Sequence, residues 1–217
     1  MAMIEIKHLT KNYGDNNVFD DFNLKIESGK ITAVLGESGS GKTTLLNVIA
    51  NLTDYKGEIT GVAPKISYVF QKDRLIKNLT VKQNLNLICP EADIDGALCS
   101  IGLGDVKNAY PSSLSAGMSR RVAVLRAFLY PSQLMLMDEP FINLDISKKI
   151  ALINIVKQLR QNDGRTIVFV THDIGEAVAL ADRIVVIANK KIVYDVSDIN
   201  SFTEKKLLEI MLKENSD

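Results

Sequence analysis

Gly36-Glu37-Ser38-Gly39-Ser40-Gly41-Lys42-Thr43 lies between a compact apolar run, Ile31-Thr32-Ala33-Val34-Leu35, and a stretch in which Leu45, Ile49 and Leu52 recur at helical spacing. Strand, glycine-rich loop and helix in that order are the context a phosphate-binding loop requires. Glycines let the backbone curl so that successive N–H groups point inward, the lysine reaches terminal phosphates, and the threonine hydroxyl is a ligand for Mg²⁺. A helix starting near Lys42 adds the positive end of its dipole to the same place. A Gly/Ser-rich linker would explain the glycines but neither Lys42-Thr43 nor the flanking strand and helix. The residues expected to cradle a nucleotide are therefore Gly36, Glu37, Ser38, Gly39, Ser40, Gly41, Lys42, Thr43 and Thr44.

On either side, the texture is that of an α/β protein. Leu134-Met135-Leu136-Met137, Ile167-Val168-Phe169-Val170 and Ile184-Val185-Val186-Ile187 are short apolar runs bounded by polar residues, as expected of strands covered on both faces. Leu152, Ile155, Val156 and Leu159 mark a helix between two of them, which gives strand–helix alternation. Ahead of the loop, Ile4 and Ile6, then Phe22, Leu24 and Ile26, alternate with polar neighbours around turn-rich interruptions, predicting a small antiparallel sheet. Ile66-Ser67-Tyr68-Val69-Phe70 is a further strand ending at Gln71, and from there to about residue 129 helical or loop texture dominates. Ser201 and Glu204 have capping-box spacing ahead of Leu207, Leu208 and Met211, which predicts a last amphipathic helix. The expected organisation is one domain, 1–217: an α/β P-loop core from 1–71 and 130–217, with an N-terminal antiparallel β subdomain, and a helical insertion subdomain at 72–129.

Composition narrows the classes. The chain has 217 residues, 46% apolar and 24% charged, an ordinary globular mixture rather than a disordered or collagen-like one. Its longest apolar stretches, such as 184–188 and 134–137, are far shorter than the ~18 to 20 residues that span a bilayer. Met1-Ala2-Met3-Ile4-Glu5 lacks the basic start and apolar run of a secretory signal. Cys89 and Cys99 are the only cysteines, with no histidine near either, so neither a disulfide framework nor a zinc site is expected and a reduced cytoplasmic compartment is the default. With 26 basic and 26 acidic residues the net charge is zero, which supplies no general attraction for nucleic acid or anionic lipid. No nucleic-acid partner is expected, and any anion must be held by a local device.

Leu134-Met135-Leu136-Met137-Asp138-Glu139-Pro140 puts Asp138 at the end of a buried strand, where a carboxylate can bind Mg²⁺ through its water shell and Glu139 can polarise an attacking water. Taken alone, Asp-Glu-Pro also suits a polar strand terminus and turn. With the phosphate loop, however, the chain resembles the ATP-binding subunit of ABC transporters. Leu114-Ser115-Ala116-Gly117-Met118 is similar to the family's signature loop, usually Leu-Ser-Gly-Gly-Gln, and Ser115 precedes Asp138 by 23 residues, in the family order. Thr171-His172-Asp173 resembles its switch histidine, Asn143-Leu144-Asp145 its D-loop, Gln71 its Q-loop and Tyr13 its adenine-stacking aromatic.

The resemblance implies ATP as the nucleotide and an ATPase activity. It implies that Glu139 orients water, that Lys42 and His172 contact the γ-phosphate, and that Gln71 senses phosphate and metal while joining core to insertion. Mg²⁺ would lie among Thr43, Gln71 and Asp138. Tyr13 would stack on adenine, and Ser115, Ala116, Gly117 and Asp145 would face ATP held by a second subunit. Each weaker element also has a plainer account: Tyr13 as a turn tyrosine, Gln71 as the end of its strand, His172 as a polar residue at a strand terminus. Two features of the signature bear on its chemistry. Met118, Val122, Leu125 and Leu129 fall on one helical stripe, so Met118 is available for packing. Ala116 would cost ~1 kcal/mol or slightly more with left-handed φ and nothing with helical φ and ψ.

The resemblance further implies two such subunits head to tail, as a homodimer, and a separate membrane permease that the chain reaches as a peripheral protein on the cytoplasmic face. Val69-Phe70-Gln71-Lys72-Asp73-Arg74-Leu75, Asp138-Glu139-Pro140-Phe141 and Ile174-Gly175-Glu176-Ala177-Val178-Ala179-Leu180-Ala181-Asp182-Arg183 look most like the nitrate/sulfonate/taurine type of bacterial importer, to which an extracytoplasmic solute-binding protein delivers cargo. No residue names that cargo. Two alternatives stand beside this. A small-molecule or nucleotide kinase shares the phosphate loop but has no need of Ser115 or Thr171-His172-Asp173. A non-transport ABC ATPase of the DNA-repair or chromosome-organising type carries a long coiled-coil or zinc insertion, for which 72–129 is too short.

Overall fold

The computed structural model describes residues 3–161 and 163–197. The chain runs β1 (Ile4–Tyr13), β2 (Asn16–Ile26), β3 (Ile31–Leu35), α1 (Lys42–Ile49), β4 (Lys56–Thr60), β5 (Ile66–Val69), α2 (Val81–Asn86), α3 (Ile94–Ser100), α4 (Ala116–Leu129), β6 (Leu134–Asp138), α5 (Ile146–Arg160), β7 (Thr166–Thr171), α6 (Ile174–Leu180), β8 (Arg183–Ala188) and β9 (Lys191–Val196). A six-stranded sheet has the order β5-β6-β7-β3-β8-β9, parallel except for β9. Every residue of β3, β6 and β7 is buried, the reason these strands read as unbroken apolar runs.

The period of two divides their side chains between two cores. Met135, Met137, Ile167 and Phe169 face one core with Leu152, Ile153 and Val156 of α5 and Ala177 and Leu180 of α6. Leu134, Leu136, Val168 and Val170 face the other, with Leu45, Leu46, Val48 and Ile49 of α1. The expected antiparallel sheet is present and shares this second core: β1 lies between β2 and β4, and Ile6, Leu9, Phe19, Phe22 and Leu24 pack toward α1. Its third strand, β4, reads Lys-Gly-Glu-Ile-Thr with only Ile59 partly buried, so it leaves no apolar alternation in the sequence.

No strand intervenes between β5 and β6. The helices there enclose a third core of Val81, Leu85, Ile94, Leu98, Val122 and Leu125. The stripe read from α4 lies on it, Val122 and Leu125 buried and Met118 and Leu129 packed at its edge. Val124, Ala127 and Phe128, from the same helix, join the sheet's first core, so α4 packs on both bodies. Ala116 opens α4 with helical backbone, so the alanine brings no left-handed strain.

One element stops earlier than its spacing suggests. α1 ends at Ile49, and Leu52 lies beyond it, 58% exposed. Asn51 takes φ 54°, its N–H bonds to the Val48 carbonyl at 3.0 Å, and the Leu52 N–H bonds to the Asn47 carbonyl at 2.8 Å. This is a Schellman terminus with asparagine in the left-handed position. The capping box at Ser201 and Glu204 and the helix expected after it lie outside the described residues. No helix among the described residues is long and apolar enough to cross a membrane.

Candidate active site

The site forms where β3, β5, β6 and β7 end. After β3 the chain curls tightly: Gly41 has φ 95°, and a Cβ there would stand 2.8 Å from Phe19 Cζ. A Cβ on Gly36 would stand 2.5 Å from the Ile187 carbonyl oxygen, so that backbone approach also demands glycine. Lys42, the first residue of α1, is buried, and its Nζ donates to the carbonyls of Gly36 and Glu37 at 2.7 Å each. It lies 3.9 Å from Glu139 Oε1. Burial pulls the Lys42 ammonium below its usual pKa, against the pull of Glu139, Asp138 and Glu37.

β6 brings Asp138 to the next residue of the loop. Thr43 Oγ1 donates to Asp138 Oδ1 at 2.9 Å, and burial pushes the Asp138 carboxyl up despite that bond. The next residue, Glu139, has φ 46°, with its N–H bonded to the Val170 carbonyl at 3.1 Å. Left-handed backbone at a non-glycine residue costs ~1 kcal/mol or more and persists only where its surroundings enforce it. The resulting turn sets the Glu139 carboxylate against His172 at the end of β7, Nδ1 lying 3.2 and 3.1 Å from Oε1 and Oε2.

A cavity of ≈ 390 Å³ joins the loop to Tyr13, Gln71 and Glu139. Tyr13 is 49% exposed, with Lys11 Nζ 4.5 Å from its ring centroid. Gln71, two residues past β5, also lines a neighbouring cavity of ≈ 500 Å³ with Thr43, Asn47, Arg74 and Asp138. The segment around Gln71 is held by two arginines that sequence reasoning did not single out. Arg120 of α4 donates to the carbonyls of Phe70, at 2.8 Å, and Gln71, and its Nε is 3.2 Å from Asp73 Oδ1. Arg126 donates to the carbonyls of Asp73 and Arg74 at 2.9 and 3.0 Å. Nothing in the sequence separates these two from Arg121, the third arginine of α4, which bonds the Ile101 carbonyl instead.

Ser115, Ala116, Gly117 and Asp145 do not line that cavity. Ser115 caps α4, its hydroxyl accepting from Met118 N–H at 3.3 Å, and Asp145 caps α5, accepting from Lys148 N–H at 2.9 Å. The two helix starts are neighbours, since a Cβ on Gly117 would stand 2.9 Å from Lys148 Cδ. The expected residues thus fall into two groups: the loop with Tyr13, Gln71, Asp138, Glu139 and His172, and a separate patch of two capped helix ends.

Chemically, the first group offers a tightly curled loop backbone and an ammonium for phosphates, and a carboxylate beside an imidazole for moving a proton. Thr43 and Asp138 form a small oxygen donor set, and no group of three or more His, Cys, Asp or Glu side chains fit to hold a metal occurs among the described residues. Such a set fits Mg²⁺, which keeps its waters and takes ~1–2 carboxylates plus substrate phosphates. A profile of the ABC transporter family matches residues 19–142, more than half of the chain. The chain belongs to the ABC transporter family.

Relatives of the same family extend the match over most of the length. The aliphatic sulfonates import ATP-binding protein SsuB 1 of Paracoccus denitrificans is 40% identical over 198 residues, covering 88% of this chain and 82% of that protein. The SsuB 2 protein of Rhodococcus jostii is 38% identical, covering 89% and 82%. A dimeric ATP-binding cassette in a post-hydrolysis state, bound to ADP and Pi, superposes with TM-score 0.77 at 28% identity, covering 89% of this chain and 98% of its own. This ABC chain is an ATP-binding, ATP-hydrolysing subunit of the transporter type. The kinase and non-transport alternatives fall with that assignment.

Proposed function

We propose that this ABC subunit drives solute import as one of two identical copies bound to a separate membrane permease on the cytoplasmic face, with an extracytoplasmic solute-binding protein supplying the cargo. The observation that carries it is the gathering of Lys42, Asp138, Glu139 and His172 at the phosphate loop, where Thr43 bonds Asp138, His172 bonds Glu139 and Lys42 Nζ lies 3.9 Å from Glu139. In this reading residues 1–71 and 130–217 form the ATP-binding core and 72–129 the helical subdomain. The loop amides and Lys42 hold the phosphates, Glu139 orients and deprotonates the attacking water, and His172 braces Glu139 while facing the γ-phosphate. Thr43, Gln71 and Asp138 hold Mg²⁺, which when bound supplies charge neutralisation for the transferring phosphoryl group.

Ser115, Ala116, Gly117 and Asp145, which stand apart from the loop's cavity, serve the ATP of the facing copy in this reading. ATP then favours the closed pair through contacts made only there, the differential binding that shifts an equilibrium, and hydrolysis removes the bias. Aliphatic sulfonates, the solutes named for the relatives, are the class to test first.

Permease docking has its own support. An apolar groove of ≈ 260 Å³ beside the Gln71 segment is lined by Tyr68, Phe70, Ile88, Ala127 and Tyr130, with Ile76 and Leu87 exposed elsewhere on the chain. Ile88→Asp is expected to keep basal ATPase activity within about twofold, since its side chain reaches none of the nucleotide residues, and to lose co-purification with a co-expressed permease. Full co-purification and transport by this variant would place docking elsewhere. Tyr13→Ala is expected to raise the ATP Kd about tenfold, within the ~1–3 kcal/mol of an aromatic stacked on a base, and to leave the single-turnover rate unchanged. An unchanged Kd would make Tyr13 a local packing residue.

A further inference from the structure

We propose that Lys149 is a positioning residue for His172, acting through the two residues that flank it in sequence. Lys149 lies on α5 one turn after Asp145, and its Nζ reaches Asp173 Oδ2 at 2.5 Å and Glu176 Oε1 at 2.7 Å. Glu176, 4% exposed, receives the Thr171 hydroxyl on its other oxygen at 2.5 Å. Thr171 Oγ1 in turn accepts the Asp173 N–H at 3.1 Å, and Asp173 Oδ1 accepts the Glu176 N–H at 3.2 Å as the cap of α6. Thr171 and Asp173, on either side of His172, are therefore both tied into one ring of bonds whose cation comes from another helix.

The chemistry of the ring makes Lys149 its keystone. Asp173 and Glu176 bring two carboxylates to one ammonium, and burial pushes the Glu176 carboxyl up, opposed by its bonds to Lys149 and Thr171. Without the ammonium, the pair either takes up a proton or parts, because like charges at this separation repel and a buried charge without a partner is costly. Either event alters the acceptor that Thr171 holds and the placement of Asp173, and with them the backbone that presents His172 to Glu139 at 3.1 Å. α5 starts at the Asp145 cap, so the ring also ties His172 to the patch proposed to face the second copy. This inference rests on the proposed part of His172 in hydrolysis.

The test is a double-mutant cycle on the full chain, with ATP Kd and melting temperature measured beside kcat and KM. Lys149→Met is expected to lower kcat about tenfold while KM and Kd stay within about twofold, a coupling of the size seen between contacting residues. Lys149→Arg is expected to restore most of that rate, because its guanidinium spans the same two carboxylates. Lys149→Met combined with His172→Ala is expected to be no slower than His172→Ala alone, which a merely structural ion pair would not produce. Should Lys149→Met fail to fold, Lys149→Gln retains a hydrogen-bonding side chain and is expected to show the same non-additivity. Wild-type kcat in Lys149→Met or Lys149→Gln, or a loss that multiplies with that of His172→Ala, overturns the proposal while leaving His172 its part in hydrolysis. A His172→Ala variant of normal kcat overturns both.

Discussion

Glu139→Gln is expected to bind ATP with undiminished affinity and to hydrolyse it about 10²- to 10⁴-fold more slowly, the usual worth of a positioned general base. The substitution preserves volume and hydrogen bonding, so the left-handed turn at φ 46° and the contact with His172 can persist while the basic oxygen is lost. Glutamine also withdraws a negative charge 3.9 Å from Lys42 Nζ, which opposes any loss of anion affinity. Binding assayed by fluorescent nucleotide and chemistry by single turnover separate the two effects. Near-normal turnover would leave Glu139 as a strand terminus with an unusual backbone.

Lys42→Met is expected to weaken ATP binding about 10²-fold, in line with ~1.5–3 kcal/mol for hydrogen bonds from a charged group. In the structure Lys42 Nζ bonds the carbonyls of Gly36 and Glu37, so it also acts as a strut of the loop's curl. The two roles predict different outcomes. A strut alone would shift the melting temperature and leave Kd within about threefold; a phosphate contact lowers affinity steeply with little change in melting. Titration calorimetry beside thermal unfolding distinguishes them.

The parts legible in the sequence were those where residue type and local geometry are bound together. Gly41 and Lys42 could be read because only such residues curl a loop and meet phosphate, and β6 and β7 because strands with no solvent face leave unbroken apolar runs. β4 and β9 lacked that signal: both lie at sheet edges, and their residues alternate weakly between exposure and partial burial. Leu52 kept helical spacing but fell beyond a terminus created by the backbone of Asn51, which apolar periodicity does not record. The arginines behind Gln71 and the lysine behind His172 were illegible for another reason. Arg120 acts on a segment about 50 residues earlier and Lys149 on one 24 later, so their meaning arises only when folding brings distant segments together.

The strand order β5-β6-β7-β3 carries Gln71, Glu139, His172 and the phosphate loop on four successive strand ends. Neighbouring strands stand ~4.8 Å apart, so the backbone delivers these groups at fixed intervals, like marks on a ruler. On the proposed roles, a nucleotide gripped by the loop after β3 is measured by how far its last phosphate extends along that scale. ADP falls a phosphate short of the outer marks. The sheet, more than any single side chain, would then be what tells the subunit that its fuel has been spent.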